Sequence, residues 1–194
     1  IMTILDHYPK PAVDMLMNFL STHDTERALT RLAGDEIGWN GKDWQAERYL
    51  NGQQYMYGIS LMKCAMVLQF FLPGIPSVYY GDEAGMEGFE DPFNRRTYPW
   101  GHEDKELLDW YAALGRLRRE REELRLGSIR FFAAGDKHLG FTRSYEGKVC
   151  KVYVNRSGDP WEVEPGKVLL GRLLDTVVYD RLVLGPRGFC IVEV

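Results

Sequence analysis

The sequence predicts an α/β part at residues 1–124 followed by an all-β part at residues 125–194. In the first part, apolar runs that suit strands alternate with helical patterns. Because strands joined through helices pair in parallel, this alternation predicts parallel βα units. From residue 125 onward, short β-prone runs follow one another closely and are separated by Gly, Pro and Asp, which is typical of an antiparallel β-sandwich.

The elements of the α/β part follow from periodicity and from helix start and stop signals. In chain order they are a strand at 17–20, a helix at 26–33, a loop at 34–52, a helix at 53–71, a strand at 77–80 and a helix at 104–123. Asp24 or Thr25 is the predicted N-cap of the first helix. The helix at 53–71 is apolar on two faces, so we expect neighbours on more than one side of it.

The all-β part divides into short predicted strands. They lie at 129–133, 139–143, 149–154, 161–163, 177–184 and 188–194. Turn-forming residues mark the boundaries, and Gly185-Pro186-Arg187-Gly188 is the predicted turn between the last two strands.

Composition excludes several classes of protein. The chain has 194 residues, with 24 Lys and Arg against 28 Asp and Glu, so its formal charge is 24 − 28 = −4. A net-acidic chain lacks the field that holds polyanions, so nucleic acid is not an expected partner. No run approaches the ~20 largely apolar residues of a membrane span, so a membrane is not expected either. The three cysteines lack metal-ligand spacing, which predicts no disulfide framework and no metal site and favours a cytoplasmic location.

Four polar residues are candidates for chemistry. His23 and Asp24 follow the predicted strand at 17–20, and catalytic groups of βα barrels lie at such strand ends. Asp91 and Arg95, four residues apart, can present paired acceptors and donors to vicinal hydroxyls. Taken alone, the first pair also suits a plain helix cap, and the second suits a surface ion pair.

Three segments in order along the chain resemble the α-amylase family, glycoside hydrolase family 13. Residues 19–27, FLSTHDTER, look like the family's fourth conserved region, at the end of the seventh barrel strand. Residues 74–83, GIPSVYYGDE, resemble the eighth strand and its loop, and residues 91–96, DPFNRR, resemble the sugar-binding stretch that follows. Within the family, the three segments are most similar to those of the neopullulanase, cyclomaltodextrinase and maltogenic amylase group.

The resemblance implies a fold and a role for each candidate residue. The first part would be the last portion of a (β/α)8 TIM barrel, strands 7 and 8 with their helices, and the second part a β-sandwich. Asp24 would be the catalytic carboxylate that stabilises the oxocarbenium-like transition state, and His23 would bind the sugar in the same subsite. Asp91 and Arg95 would bind substrate further from the scissile bond. The expected partner is an α-glucan oligosaccharide.

A retaining glycosidase also needs a nucleophilic carboxylate and an acid. In the family these follow the fourth and fifth barrel strands, and no segment of this chain matches their motifs. The resemblance therefore implies the C-terminal part of a retaining hydrolase that cleaves α-1,4 glucosidic bonds, with α-1,6 bonds left open. By itself this part would be inactive.

Two alternatives stay open: a non-catalytic carbohydrate-binding or interaction module, and a member of the same family with another outcome, either a glucosyltransferase or a relative that lost catalysis. No cofactor is expected; calcium in a longer parent enzyme is left open, because no dense loop of oxygen ligands is visible here. Two strands cannot close a barrel, so exposed strand edges and apolar faces predict self-association of the chain.

Overall fold

The computed structural model describes residues 2–178 and 181–194, and for residues 174–178 it describes the backbone alone. The helices, in chain order, are α1 Met2–His7, α2 Lys10–Asp14, α3 Ala28–Ala33, α4 Lys42–Glu47, α5 Gly52–Phe71, α6 Lys105–Glu120 and α7 Glu122–Leu126. The strands are β1 Met17–Asn18, β2 Ile75–Pro76, β3 Ser128–Ala134, β4 His138–Tyr145, β5 Lys148–Asn155, β6 Trp161–Val163, β7 Lys167–Val178 and β8 Arg181–Glu193. A 3₁₀ helix at Phe93–Arg95 lies in the long loop before α6.

The two short strands β1 and β2 pair in parallel, with Met17 opposite Ile75. The connection between them contains α3, α4 and the long helix α5, which confirms the predicted parallel βα arrangement. The prediction of the second strand at 77–80 is wrong by a few residues. Gly74, with φ of +110°, turns the chain directly after α5, so the Ile75 N–H already donates to the Leu16 carbonyl at 2.7 Å.

Helix α5 begins and ends close to the predicted bounds. A reciprocal cap starts it: the Gln54 N–H donates to Asn51 Oδ1 at 2.9 Å, and the Asn51 N–H donates to Gln54 Oε1 at 3.0 Å. Met62, Met66 and Phe71 are all buried. The helix packs against α3, α6 and the sheet, as its two apolar faces predict.

The predicted helix at 104–123 is two helices. Asp104 caps α6, because its Oδ1 accepts the Leu107 N–H at 2.9 Å. The break falls at Arg121, whose backbone is extended and whose guanidinium bridges Glu123 at 2.7 Å and Glu193 at 2.6 Å. These two ion pairs hold the junction between α6 and α7 against the end of β8.

The strands after α7 form one antiparallel sheet in the order β3–β4–β5–β8–β6, with β7 along the opposite edge of β8. One half of β8 pairs with β5, placing Phe189 opposite Val154, and the other half pairs with β6, placing Leu184 opposite Trp161. Two strands in succession along one edge of β8 curl the sheet. The antiparallel all-β prediction is confirmed, and hydrogen bonds join these strands into a single curled sheet.

The last two strands differ from the predicted ones. Strand β8 continues through residues 185–188, which the sequence predicts as a turn, and Arg187 within it has φ of +53°. Register shifts in the pairing of β7 with β8 accommodate this irregular stretch. The sequence does not predict β7 itself, since Gly171 and Arg172 interrupt its apolar pattern. Of the predicted strand at 177–184, residues 179–180 lie outside the described residues.

One hydrophobic core crosses both parts of the chain. It joins Phe71 of α5 and Leu114 of α6 to Phe141, Val152 and Ile191 of the sheet. The opposite face of the sheet carries a second, smaller cluster of buried residues: Tyr153, Val163, Leu182, Leu184, Cys190 and Val192. The sheet is therefore buried on both faces over its central strands, and it anchors the helices that carry the loops described next.

Candidate functional site

The turn between β1 and α3 presents His23 and Asp24 to solvent. Hydroxyl groups close this turn: the Thr22 N–H donates to Thr25 Oγ1 at 3.0 Å, and the Asp24 N–H donates to Thr22 Oγ1 at 3.2 Å. The side chains of His23 and Asp24 are 68% and 71% exposed, and Nε2 lies 3.1 Å from Oδ2. Both groups therefore remain accessible to a ligand.

Neither Asp24 nor Thr25 caps α3, so the prediction of that cap is wrong. The Ala28 N–H donates instead to Oγ of the buried Ser21, at 2.8 Å. Ser21 fills this role because the turn folds back over the start of the helix. The Asp24 carboxylate is thus not engaged as a cap, and the plain structural interpretation of the His-Asp pair does not hold.

Asp91 and Arg95 lie beside this turn. Arg95 Nε is 3.0 Å from Asp91 Oδ1 and donates to the His23 carbonyl at 3.1 Å, while an Arg95 Nη atom is 3.9 Å from Asp24 Oδ1. The structure therefore brings together the four residues singled out in the sequence. Their side chains are all largely exposed, so they form a polar rim rather than a buried ion network.

A buried asparagine joins the two segments. Asn94 is fully buried, and its Nδ2 lies within hydrogen-bond distance of the carbonyls of Thr22 at 3.4 Å, His23 at 2.8 Å and Thr25 at 2.8 Å. In the sequence, Asn94 is one polar residue of the DPFNRR stretch. Its contacts reach residues about seventy positions away, so no local spacing could have revealed them.

Arg27 and Asp82 lie beneath the rim. Arg27 is fully buried and donates from Nε to the Asn94 carbonyl at 2.8 Å and from Nη1 to Asp82 Oδ1 at 3.1 Å. Burial raises the pKa of Asp82 to about 6, although hydrogen bonding by Ser21 and the charge of Arg27 oppose the rise. The guanidinium stacks over the ring of Tyr79 at 4.2 Å. Arg27 thus joins the loop that contains Asn94 to the loop that contains the buried Asp82 carboxyl group.

The segment before α5 supports the loop that contains Asp91. Lys42, at the start of α4, donates from Nζ to the Asp91 carbonyl at 2.7 Å. Arg96 donates to the Ala46 carbonyl at 3.2 Å and lies over the Tyr49 ring at 4.1 Å. The sequence predicts a loop here, because six residues of α4 are too few to show helical periodicity.

A cleft of about 520 Å³ opens beside the Asp24 turn. Its lining combines the apolar side chains of Phe19 and Leu32 with the charged groups of Asp24, Arg31 and Glu90. Apolar surface with a few convergent polar groups is typical of small-molecule sites. Of the four rim residues, Asp24 alone lines this cleft, and its exposed carboxylate can accept hydrogen bonds from hydroxyl groups and stabilise a nearby positive charge.

The described residues contain neither a group of metal-binding side chains nor a membrane-spanning helix. Among residues 2–178 and 181–194, no group of three or more His, Cys, Asp and Glu side chains is placed to hold a metal ion. No helix in the same ranges is long and apolar enough to cross a bilayer.

Curated relatives share much of this sequence. The amylopullulanase of Thermoanaerobacter thermohydrosulfuricus is 36% identical over 174 residues, which are 84% of this chain and 11% of the relative. The cyclomaltodextrinase of Thermoanaerobacter pseudethanolicus is 37% identical over 145 residues, which are 74% of this chain and 21% of the relative. The chain thus spans a small share of the length of these proteins.

A solved structure and a family model agree with these relatives. The crystal structure of an α-amylase from Geobacillus thermoleovorans, complexed with acarbose, matches with a TM-score of 0.72 and 27% identity, over 99% of this chain and 41% of that one. Residues 2–125 match the family model described as alpha amylase, catalytic domain. The resemblance of the three motifs is therefore confirmed, and the chain belongs to the α-amylase family of glycoside hydrolases.

Proposed function

We propose that this chain is the C-terminal part of the catalytic barrel, with the following β domain, of a retaining hydrolase that cleaves α-1,4 glucosidic bonds in α-glucan oligosaccharides. The longer protein is called the parent enzyme below. The observation that carries the proposal is the meeting of His23, Asp24, Asp91 and Arg95 around one exposed rim. Family membership supports a glycoside hydrolase, and the cyclomaltodextrinase and amylopullulanase relatives favour an α-glucan substrate.

Each rim residue has a role in the proposal. Asp24 stabilises the positive charge that develops on the sugar ring in the transition state, because its exposed carboxylate does not cap α3. His23 hydrogen-bonds a hydroxyl of the same sugar. Asp91 and Arg95 together bind hydroxyls of a neighbouring sugar, since the pair offers acceptors and donors side by side.

Three further points belong to the same proposal. The nucleophile and the acid are supplied by the parent enzyme outside this chain, so we expect no turnover of a chromogenic maltoside by the chain alone. The barrel part ends near residue 124, where the family match also ends. The β-sandwich of the parent enzyme is part of the proposal as well, and the buried cluster on the second face of the sheet supports it.

Replacement of Asp24 in the parent enzyme tests the proposal. Asp24→Asn keeps the shape of the side chain and removes its charge, so kcat on a maltooligosaccharide is expected to fall by about 10² or more. Asp109→Asn is the matched control, because Asp109 is an exposed carboxylate on α6 and is not one of the rim residues. Turnover by Asp24→Asn within a few-fold of the control would remove Asp24 from the mechanism.

A further inference from the structure

Asn94 connects the loop that carries Asp91 and Arg95 to the turn that carries His23 and Asp24. Its amide nitrogen points at the carbonyls of Thr22, His23 and Thr25, which surround Asp24 in the chain. Asn94 itself is fully buried, one residue before Arg95. A single side chain therefore satisfies the backbone of the turn from beneath, whereas the rim residues lie above it.

The chemistry of this contact requires an amide. Only the nitrogen of an asparagine side chain can donate, so the orientation with Nδ2 toward the carbonyls is the one that makes bonds. Asn94 Oδ1 is buried and has no hydrogen-bond partner within the described part of the chain. Leaving an acceptor unpaired costs free energy, and the contacts of Nδ2 offset that cost. The Asn94 side chain thus hydrogen-bonds the turn through Nδ2, although its Oδ1 has no partner among the described residues.

The backbone of Asn94 is held separately from its side chain. Its carbonyl accepts from Nε of Arg27, and Arg27 also donates to the Tyr80 carbonyl and to Asp82. This buried anchor does not depend on the Asn94 amide. Replacing the side chain should therefore release the turn while the loop at 91–96 stays attached to the fold.

We propose that Asn94 is a positioning residue that sets the location of the Asp24 carboxylate relative to the Asp91–Arg95 pair. The inference rests on the proposed function, since it assigns Asn94 an effect on turnover that acts through Asp24. Without the amide, the Thr25 carbonyl loses its donor and the His23 carbonyl keeps only the longer bond from exposed Arg95, so the turn relaxes toward solvent. A displacement of about 1 Å at a catalytic group is enough to reduce a rate by about 10².

Kinetics and ligand affinity in the parent enzyme test the positioning role. Asn94→Asp retains the size of the side chain but removes the donor, and Asn94→Ala removes the amide entirely. Both are expected to lower kcat/KM by about tenfold to a hundredfold. The dissociation constant of acarbose is expected to rise by at least tenfold in the folded variants, which a mere loss of folded protein would not cause. Matched Asn40→Asp and Asn40→Ala controls, at an exposed position, should leave both quantities within twofold.

A double-mutant cycle separates positioning from general damage. If Asn94 acts through Asp24, adding Asn94→Asp to Asp24→Asn should lower kcat by less than twofold beyond the single Asp24→Asn variant. A full additional tenfold loss in the double variant would overturn the positioning role. Unchanged kcat/KM and acarbose affinity in both Asn94 variants would overturn it as well.

Hydrogen exchange in this chain distinguishes failure of the inference from failure of the proposed function. Asn94→Asp is expected to speed amide exchange at residues 22–27 by tenfold or more, with no change in α5. If exchange accelerates while Asp24→Asn retains full activity, the proposed function fails and the role of Asn94 in catalysis fails with it. If Asp24→Asn is inactive but the Asn94 variants are unchanged in exchange and turnover, only the positioning role is contradicted.

Discussion

Ser21 rather than Asp24 caps α3, so the Asp24 carboxylate is exposed and lies beside His23 and Arg95 instead. The sequence allows Asp24 or Thr25 as the cap because both directly precede the helical residues. Ser21 lies seven positions before Ala28, outside the reach of local capping patterns. The position of His23 and Asp24 after a strand was predictable, whereas their freedom from capping depends on how the turn folds back.

Stability measurements on this chain can check the cap assignment. Ser21→Ala is expected to lower the free energy of unfolding by about 1 kcal/mol or more, because the Ala28 N–H loses its acceptor and buried Asp82 loses the hydrogen bond from Ser21. Asp24→Ala is the matched comparison, and it should change the stability by no more than about 0.5 kcal/mol, as for other exposed positions. Urea denaturation of both variants gives the two values. A larger loss for Asp24→Ala than for Ser21→Ala would show that Asp24 is the cap.

Distance along the chain limits what the sequence reveals about the site. The ion pair of Asp91 and Arg95 was predictable, because the two residues are four apart. The contacts of Arg27 and Asn94 with the opposite segment span 67 to 72 positions, so they follow from the tertiary fold alone. The exposed residues that would touch a ligand are therefore visible in the motifs, and the buried residues that place them are not.

At the scale of elements, the carboxyl end of α5 is held by two buried arginines. Arg118 donates to the Phe70 carbonyl at 2.6 Å, and Arg143 donates to the carbonyls of Phe71 and Gly127. Burial lowers the pKa of both guanidinium groups, that of Arg143 to about 10. The partial negative charge at a helix carboxyl end favours such cations. These contacts join α6 and β4 to the helix that leads into β2.

Replacement of Arg143 tests whether its two hydrogen bonds, to the Phe71 and Gly127 carbonyls, stabilise the contact between β4 and the end of α5. Arg143→Lys keeps the charge but cannot reach both carbonyls in the same geometry, so one of them is left unpaired. The free energy of unfolding is expected to fall by about 1 to 3 kcal/mol. Arg130→Lys, on the exposed face of the neighbouring strand β3, should have no effect beyond about 0.5 kcal/mol. Equal stability of the two variants in urea would contradict the role given to Arg143.

The helices were easier to predict than the last strands. Helical periodicity defines α5 and α6 over many residues, so their existence and approximate bounds follow from the sequence. In the sheet, Gly185 and Pro186 look like a turn although they lie within β8. Pairing with β7 along the whole of β8 keeps that irregular stretch in the sheet, and this pairing has no local signature.

In the whole molecule, one hydrophobic core joins the two parts of the chain, whereas the region of β1 and β2 leaves apolar side chains exposed. The core that joins α5 and α6 to the sheet means that the proposed division near residue 124 does not separate two independent cores. In contrast, β1, β2 and the residues next to them expose a group of apolar side chains: Met15, Met17, Phe19, Ile75 and Val78. Apolar patches of this kind on a strand edge favour association.

Sedimentation measurements test whether these strands drive self-association. The weight-average mass of the chain is expected to rise above the monomer value of 22.4 kDa as concentration increases. Met17→Glu places a charge on the exposed strand and should weaken association by tenfold or more. Met56→Glu is the control, because Met56 is similarly exposed but lies on α5. A monomer at every concentration would count against the proposal.

The most direct test of the assigned site is a crystal structure of the parent enzyme with acarbose bound. We expect an Asp24 carboxylate oxygen and His23 Nε2 each to lie within about 3.2 Å of hydroxyl groups of one sugar unit. Asp91 and Arg95 should contact the next unit. Acarbose bound in a catalytic cleft with both Asp24 oxygens more than about 6 Å from every sugar atom would contradict the account, because a group so placed cannot stabilise charge on the sugar ring by direct contact.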